Sequence, residues 1–487
     1  MSKILFSHSY YYPLDKKQWD NKTPYPPLGT IYAAAYMRQQ GHAVGLFDTN
    51  LRSDPDAIQE RLKLEKPKYL VLYDDCFNYL TKMCLTTMRE AAFKMIGLGK
   101  EQGCTVIVNS SDSTDHYDKY LDAGADFIIG GEGEESLREL LEHLDNGQAT
   151  DNVKGIMHRV DGETKVLAKR PVLRALDKLP LPAWDLVDMN AYRNIWAQGG
   201  KAFTLNMVTT RGCPFKCNWC AKPIYGNRYN THSPAYVVRH LQYIKEQFDV
   251  TNFWMCDDIF GLKPGWVQEF NQELQKANLQ IGYYIQSRVD LLLKDDTIDA
   301  LAQSGLKEVW VGAESGSQKI LDAMDKGTTV DQIYQATRLL KKKNIRVAFF
   351  IQFGYLGETK EDINKTIKMV EELVPDNIGV SVSYPLPGTK FYEKVKDDLQ
   401  LKANWTDSDD LAMMFQGTYH SGFYKKLHRY MHKVFRKRQA LEAMKQLAKQ
   451  PWTLNPARLR SVLSFGYYWP SATWDSWRLK QMQHSNG

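Results

Sequence analysis

Three of the chain's seven cysteines fall within eight residues, in the run Arg211-Gly212-Cys213-Pro214-Phe215-Lys216-Cys217-Asn218-Trp219-Cys220. Thiolates are soft ligands, and this spacing places three of them on one short loop. They can hold three irons of a [4Fe–4S] cube and leave the fourth iron open to a chelating small molecule. A structural zinc site wants four ligands, usually as two separated Cys/His pairs. No second pair with such spacing is present, and His232, the nearest histidine, stands alone. An incidental cluster of inert thiols is the remaining alternative. Spacing and position favour the iron–sulfur site, so the metal ligands expected are Cys213, Cys217 and Cys220.

The elements that must position this loop are legible around it. FTLNMVTT, from Phe203, leads directly into the cysteines, and FWMCDD, IGYYIQSR, EVWVGAE, VAFFIQF and IGVSVSYP follow as five further strand candidates. Helical patterns lie between them at 234–247, 266–277, 331–343 and 360–373. Six βα units in succession predict a partial or full (β/α) barrel with chemistry at the carboxyl ends of its strands. Ahead of it, KILFSHS, AVGLFDTN, YLVLYDD, TVIVNSS and DFIIGGEGEE alternate with helices, one of them spanning roughly 80–103. That alternation predicts an open parallel sheet covered on both faces. Ligands in such sheets bind outside the carboxyl strand ends, here polar or glycine: Asp48, Asp74, Asp75, Asn109, Ser110, Ser111, Gly130 and Gly131. The expected class is therefore α/β. Residues 1–150 form a Rossmann-like domain and 151–200 a connector, with a hairpin turning at Asp161-Gly162 and a proline-broken LDKLPLPAW segment. Residues 201–400 form the barrel and 401–487 a helical region.

Bulk properties narrow the class further. A hydrophobic content of 43% and a charged content of 25% are ordinary for a globular protein. No run of about eighteen apolar residues appears, so no membrane-spanning helix is expected. The N-terminal MSKILFSHS reads as a buried strand rather than a signal peptide. Seven cysteines in 487 residues are too few for a disulfide scaffold, which suits a reducing compartment, the cytoplasm. A net charge of +6 gives no ground for a nucleic-acid partner.

A CxxxCxΦC motif after the first strand of a βα barrel, with Trp219 in the aromatic position, resembles the radical S-adenosylmethionine (SAM) superfamily. The resemblance implies that SAM chelates the open iron and that one electron cleaves it to a 5′-deoxyadenosyl radical. Other strand ends are similar to the family's. Cys256-Asp257-Asp258 stands where the family has a Gly-Gly-Glu-like contact to the SAM amine, an aspartate replacing the glutamate. Gln286-Ser287-Arg288 offers a cation for the SAM carboxylate, and Gly312-Ala313-Glu314-Ser315-Gly316 is similar to the family's GxES segment. The SAM contacts so implied are Trp219, Asp257, Asp258, Ser287, Arg288, Glu314 and Ser315. No catalytic acid or base is readable.

A Rossmann-like domain ahead of the barrel resembles the cobalamin-binding subgroup of that superfamily. The matching pieces are Pro26-Pro27-Leu28-Gly29, Gly41-His42 and Asp126-Phe-Ile-Ile-Gly130-Gly131-Glu132-Gly133-Glu134. The resemblance implies cobalamin near Leu28, Gly29, Asp74, Asp75, Ser110, Ser111, Gly130, Gly131 and Glu132. Two departures stand out: there is no DxHxxG loop, and Asn109-Ser110-Ser111-Asp112 replaces the Gly-Gly-x-His common after strand four. The competing reading is a domain that only shapes the substrate cleft. Cys76, Cys84 and Cys104 raise the tRNA methylthiotransferases, but their irregular spacing argues against a second cluster, and they read as buried small hydrophobes.

The function expected is methylation of a weakly activated carbon in a small-molecule or lipid-like substrate, with an electron donor such as flavodoxin or ferredoxin. Cyclisation, oxidation or rearrangement is the alternative, and a non-catalytic iron–sulfur sensor a remote one. Between Tyr424 and Gln450 nine Lys/Arg residues accompany one acidic residue, Glu442. A basic helix of this kind can make peripheral contact with an anionic membrane; more often it is a solvated face packed on the protein. The aromatics of the FGYYWPSATWDSWR segment beyond it can line a hydrophobic substrate pocket, but the segment is expected to pack as a terminal cap.

Overall fold

The computed structural model describes residues 2–83, 85–220, 225–399, 404–453 and 455–484. Cys84 and Leu401, where the helical region was expected to begin, lie outside the described residues. The chain divides into two compact units: Met1–Phe215, Ala221–Ile285 and Asn404–Asp410 form the first, and Lys216–Cys220, Gln286–Ala403 and Leu411–Gly487 the second.

The first unit holds a seven-stranded sheet of β1 (Lys3–Ser7), β2 (Ala43–Phe47), β3 (Tyr69–Tyr73), β4 (Thr105–Asn109), β5 (Phe127–Ile129), β6 (Ile156–Val160) and β7 (Glu163–Val166). The order is β2-β1-β3-β4-β5-β6-β7. The first five strands pair in parallel, with Leu5 beside Leu70 and Leu70 beside Val106. β3 is buried along its whole length, as an unbroken YLVLY run requires of a strand covered on both faces. Its core joins Leu70, Leu72, Val106 and Val108 to Met95 and Ile96 of the helix Thr86–Glu101. A 2-1-3-4-5 order reverses direction between β1 and β3, so the carboxyl ends of those two strands border a ligand crevice.

β6 and β7 turn at Asp161 (φ 51°) and Gly162 (φ 85°), the pair of positive angles a two-residue hairpin demands. This hairpin extends the sheet antiparallel to β5. The single helix expected over 80–103 is two: Asn78 caps a short turn at Tyr79–Lys82, and a new helix starts at Thr86. There Thr86 N–H donates to the Trp405 carbonyl (2.9 Å). The same downstream segment reaches the N-terminus, where Ser408 Oγ donates to Asp15 (2.8 Å) and accepts from Gln18 (3.2 Å).

The six expected barrel strands are all present. β8 (Leu205–Met207), β9 (Asn252–Met255) and β10 (Gly282–Ser287) pair in parallel, with Phe253 beside Leu205 and Tyr283. β10 runs across the boundary between the units. In the second unit β11 (Leu306–Glu314), β12 (Arg346–Phe353) and β13 (Asn377–Val382) pair in parallel, Val309 beside Val347 and Ala348 beside Asn377. The intervening helices start at strong sequence signals. Ser233 caps Pro234–Phe248 with proline in the first turn, and Thr329 and Thr359 make capping boxes for Val330–Lys342 and Lys360–Leu373.

The second unit ends in two long helices, Ser421–Lys449 and Pro456–His484. Phe423, Leu427, Met431, Val434 and Phe435 of the first are buried, and Asp475 of the second takes both Lys426 and Lys433 (2.5 and 2.6 Å). The aromatic segment expected to pack as a cap does not: Tyr467, Trp469, Trp474 and Trp477 are exposed. No helix among the described residues is long and apolar enough to cross a membrane.

Candidate active site

The cysteine loop springs from β8 through a two-residue ladder, Thr210–Arg211 against Asn230–Thr231. Gly212 follows with φ 84°, and a Cβ there would lie 2.1 Å from the Arg228 carbonyl oxygen, so only glycine lets the loop close on its base. Cys213 and Cys217 are half-buried and Cys220 is exposed; none is in a disulfide. Cys76, Cys104 and Cys256 are buried singly elsewhere. Among the described residues no three His, Cys, Asp or Glu side chains converge as ligands of one ion.

Arg211 anchors this base in the first unit. Its side chain is fully buried, with Nη1 2.6 Å from Glu132 and Nη2 2.8 Å from Glu134, both in the DFIIGGEGEE segment after β5. The rings of Tyr225, Tyr32 and Phe77 stand 5.0, 5.6 and 5.7 Å from its guanidinium carbon. Burial alone would depress the guanidinium, but Glu134 and Glu132 outweigh it and raise its pKa. Glu132 is thus engaged by the loop's base and by the Leu173 N–H.

Asp257, expected at the SAM amine, is buried and accepts from Thr209 N–H (2.7 Å), Thr210 N–H (2.8 Å) and Thr209 Oγ1 (2.6 Å). Burial pushes its carboxyl up to about 7, against the pull of those donors. It clamps the exit of β8. Asp258 pairs with Lys82 (2.6 Å).

The second unit brings together other expected residues. Arg288, after β10, lies with Nη1 4.0 Å from Cys217 Sγ and is held by Asp290 (2.9 Å). Glu314 ends β11 at a register shift with φ 55°, a left-handed conformation that costs about 1 kcal/mol in a non-glycine residue and so marks an over-determined position. Its Oε1 is 2.8 Å from Lys326 Nζ, which stands 5.8 Å from the centre of the Trp219 ring. Burial lowers the lysine, but Glu314 and Cys217 prevail and raise it. Arg288 and Lys326 thus both place a cation beside Cys217. Ser315 is turned away, bonded to Thr366 (3.0 Å). Ser287 is buried at the end of β10.

Three residues of this site carry no recognisable sequence signal. Lys326 and Arg211 are ion-paired only through the fold. Asn218, between two cysteines, donates to the Ala323 carbonyl (2.8 Å), accepts from Tyr355 (2.7 Å), and exchanges backbone bonds with Met324 and Phe391. At the end of β12, Glu358 is wholly buried; its Oε2 accepts from Gly354 N–H (2.6 Å), its Oε1 has no partner, and burial pushes its carboxyl to about 8.

At the β1/β3 crevice the expected residues are built into the backbone. Asp74 accepts from Ser9 N–H and Oγ (2.7 and 2.8 Å). Asp75 accepts from Gly29 N–H (3.0 Å) at the start of the helix Leu28–Gln39. A Cβ on Gly29 would approach Asp75 and Cys76 to 3.2 Å. Ser110 caps the helix that begins at Ser111. Gly130 bonds to Gly155, and Gly131 has φ 77°. Buried Asn109 donates to the Ile129 and Gly131 carbonyls but leaves Oδ1 without a partner. His8, after β1, is held by Asp48 and Thr49.

Residues 207–370 match the Radical SAM superfamily. Those residues form a Radical SAM domain. The chain is 28% identical over 282 residues to an uncharacterized methyltransferase of Pyrococcus horikoshii, covering 58% of the chain and 60% of the relative. It is 26% identical over 410 residues to the anaerobic magnesium-protoporphyrin IX monomethyl ester cyclase of Rubrivivax gelatinosus, covering 82% of the chain and 71% of the relative. Its fold is that of the radical SAM methyltransferase TsrM of Kitasatospora setae, a structure with cobalamin and a [4Fe–4S] cluster bound. The TM-score is 0.68 at 17% identity, over 82% of this chain and 78% of that one.

Three reduced thiols on one loop, two of them half-buried and one flanked by cations, fit a cluster that takes three protein ligands. A glycine-edged crevice with an unpartnered buried amide oxygen fits a corrinoid, whose rim is rich in carboxamide donors.

Proposed function

We propose that this chain is an enzyme that cleaves SAM at a [4Fe–4S] cluster on Cys213, Cys217 and Cys220 and, with cobalamin, methylates a weakly activated carbon of a small molecule, lipid-like ones included. The observation that carries the reading is the CxxxCxxC loop at the end of β8, with Arg288 4.0 Å from Cys217 Sγ. When bound, cluster, SAM and corrinoid supply a 5′-deoxyadenosyl radical and a methyl group.

The chain's residues hold and orient these groups. Arg288 and Ser287 would receive the SAM carboxylate, Glu314 its ammonium or ribose, and Trp219 would wall the cluster; Lys326 fixes Glu314 in place. Asp257 acts as a positioning residue for the loop, and Asp258 and Ser315 stay in their ion pair and hydrogen bond. In this reading residues 1–150 hold the corrinoid between Leu28, Gly29, Asp74, Asp75, Ser110, Ser111, Gly130, Gly131 and Glu132. Residues 151–200 connect, beginning with the hairpin that extends the first sheet, 201–400 hold SAM and cluster, and 401–487 form the helical region. The electron comes from a reduced flavodoxin or ferredoxin in a reducing cytoplasm. The likeness to the cyclase supports a second outcome, ring closure without methyl transfer.

Anaerobic reconstitution with iron, sulfide and hydroxocobalamin, then dithionite and SAM, tests this. The parent is expected to form 5′-deoxyadenosine and retain corrinoid, and Cys217→Ala to form none while keeping its circular dichroism. A Cys217→Ala protein that still releases 5′-deoxyadenosine refutes the cluster assignment. Product mass separates the two outcomes, because methyl transfer adds a CH₂ unit and cyclisation does not.

A further inference from the structure

The final helix, Pro456–His484, has one face packed and the opposite face bare. Ala472, Asp475 and Leu479 are buried, and Asp475 is locked to Lys426 and Lys433 of the helix Ser421–Lys449. Leu459, Leu463, Tyr467, Pro470, Trp474 and Trp477 recur at helical spacing on the other side. The five of these that are large and apolar are 46–70% exposed. The stripe runs about 27 Å along the helix axis at 1.5 Å per residue. A continuous apolar band of this length on an outer surface marks an interaction site rather than scattered exposure.

The charge around the band selects its partner. From residue 451 to the end the sequence has Arg458, Arg460, Arg478 and Lys480 and one acid, Asp475, which is buried and already neutralised by two lysines. The band itself mixes aliphatic, tyrosine and indole side chains, the last two suited to an apolar–aqueous boundary where a polar tip stays wet. Lysine and arginine flanks reach from such a boundary to negative head groups. The basic helix Ser421–Lys449 cannot serve this purpose with its own apolar side, because Leu427, Met431, Val434 and Phe435 are buried. We propose that the exposed face of Pro456–His484 lies in the head-group region of an anionic lipid bilayer, as an in-plane anchor rather than a span. This goes beyond the proposed activity and does not depend on it.

The test is flotation of the full chain with vesicles of phosphatidylcholine alone and of phosphatidylcholine mixed with phosphatidylglycerol. The parent is expected to float with the mixed vesicles and to be released by high salt. The double variant Trp474→Ala/Trp477→Ala should lose about tenfold or more in partitioning, because two half-exposed indoles are removed from the buried area. Arg478→Glu/Lys480→Glu should weaken binding to the anionic vesicles while leaving circular dichroism and elution volume unchanged. Failure of the parent to float with anionic vesicles overturns the proposal. So does equal binding to both vesicle types, or binding that both double variants retain. A concentration-dependent dimer in sedimentation velocity that Trp474→Ala/Trp477→Ala dissociates would assign the band to a second copy of the chain and overturn it as well.

Discussion

Replacing Arg211 by methionine isolates the contact that seats the cysteine loop. Methionine approximates the stem's volume and suits the three surrounding rings, so the main loss is charge. Glu132 and Glu134, with side chains 5% and 2% exposed, would be left as uncompensated buried carboxylates. Removing one partner of a buried ion pair costs about 3–5 kcal/mol, and a desolvated cation over aromatic faces adds up to about 2 kcal/mol. Glu132, whose carboxyl burial already pushes up, can relieve part of this by taking up a proton, so about 4 kcal/mol is expected at neutral pH. The assay is urea denaturation of the apo-protein, with iron content after reconstitution as a second readout, because Gly212 and Cys213 follow directly on Arg211. Adding Glu132→Gln and Glu134→Gln to Arg211→Met should restore more than half of the loss, since no buried charge then lacks a partner. An Arg211→Met protein within about 1 kcal/mol of the parent, or a triple variant no better than the single one, refutes the reasoning.

Two further outcomes follow from local geometry. Gly212→Ala places a Cβ 2.1 Å from the Arg228 carbonyl oxygen, so bound iron should fall several-fold while the far-ultraviolet spectrum is kept; normal iron loading would contradict the account of the loop. Glu358 holds its proton in the folded state up to about pH 8, so the stability it contributes is fully present below the ordinary glutamate pKa and is lost as pH rises through about 8. Between about pH 6 and pH 9 the parent should therefore lose about 3 kcal/mol relative to Glu358→Gln, read from denaturation midpoints; parallel pH profiles would refute the shift.

Much of the frame can be read along the chain, because its signals are local. The YLVLY and VAFFIQF runs, the Thr359 and Ser233 caps and the Asp161-Gly162 turn each act within a few residues, and each element appears where its pattern falls. The CxxxCxxC spacing is local in the same sense. What does not appear along the chain is pairing at a distance. Arg211 meets Glu132 across 79 positions, and nothing near either residue announces the other. Lys326 lies outside any motif and matters only because a turn returns it to Glu314. Asp257 resembles a ligand by its place after β9, yet two backbone amides and a hydroxyl already occupy it. The tryptophans of Pro456–His484 depart from the expected cap for a related reason: composition gives apolarity, and only packing shows which face is covered.

The return of Trp405 and Ser408 to the first unit has a consequence for synthesis. Ser408 bonds to Asp15 across 393 positions, and Trp405 receives the first amide of the helix Thr86–Glu101. At about 5–20 residues per second, roughly 20–80 seconds separate the emergence of these partners from the ribosome. Through that interval the nascent first unit stands with the Thr86 amide unanswered by Trp405 and the Asp15 carboxylate held only by its local donors, Tyr10 and Gln18. Its final closure is therefore a late event that waits until all six barrel strands have been made.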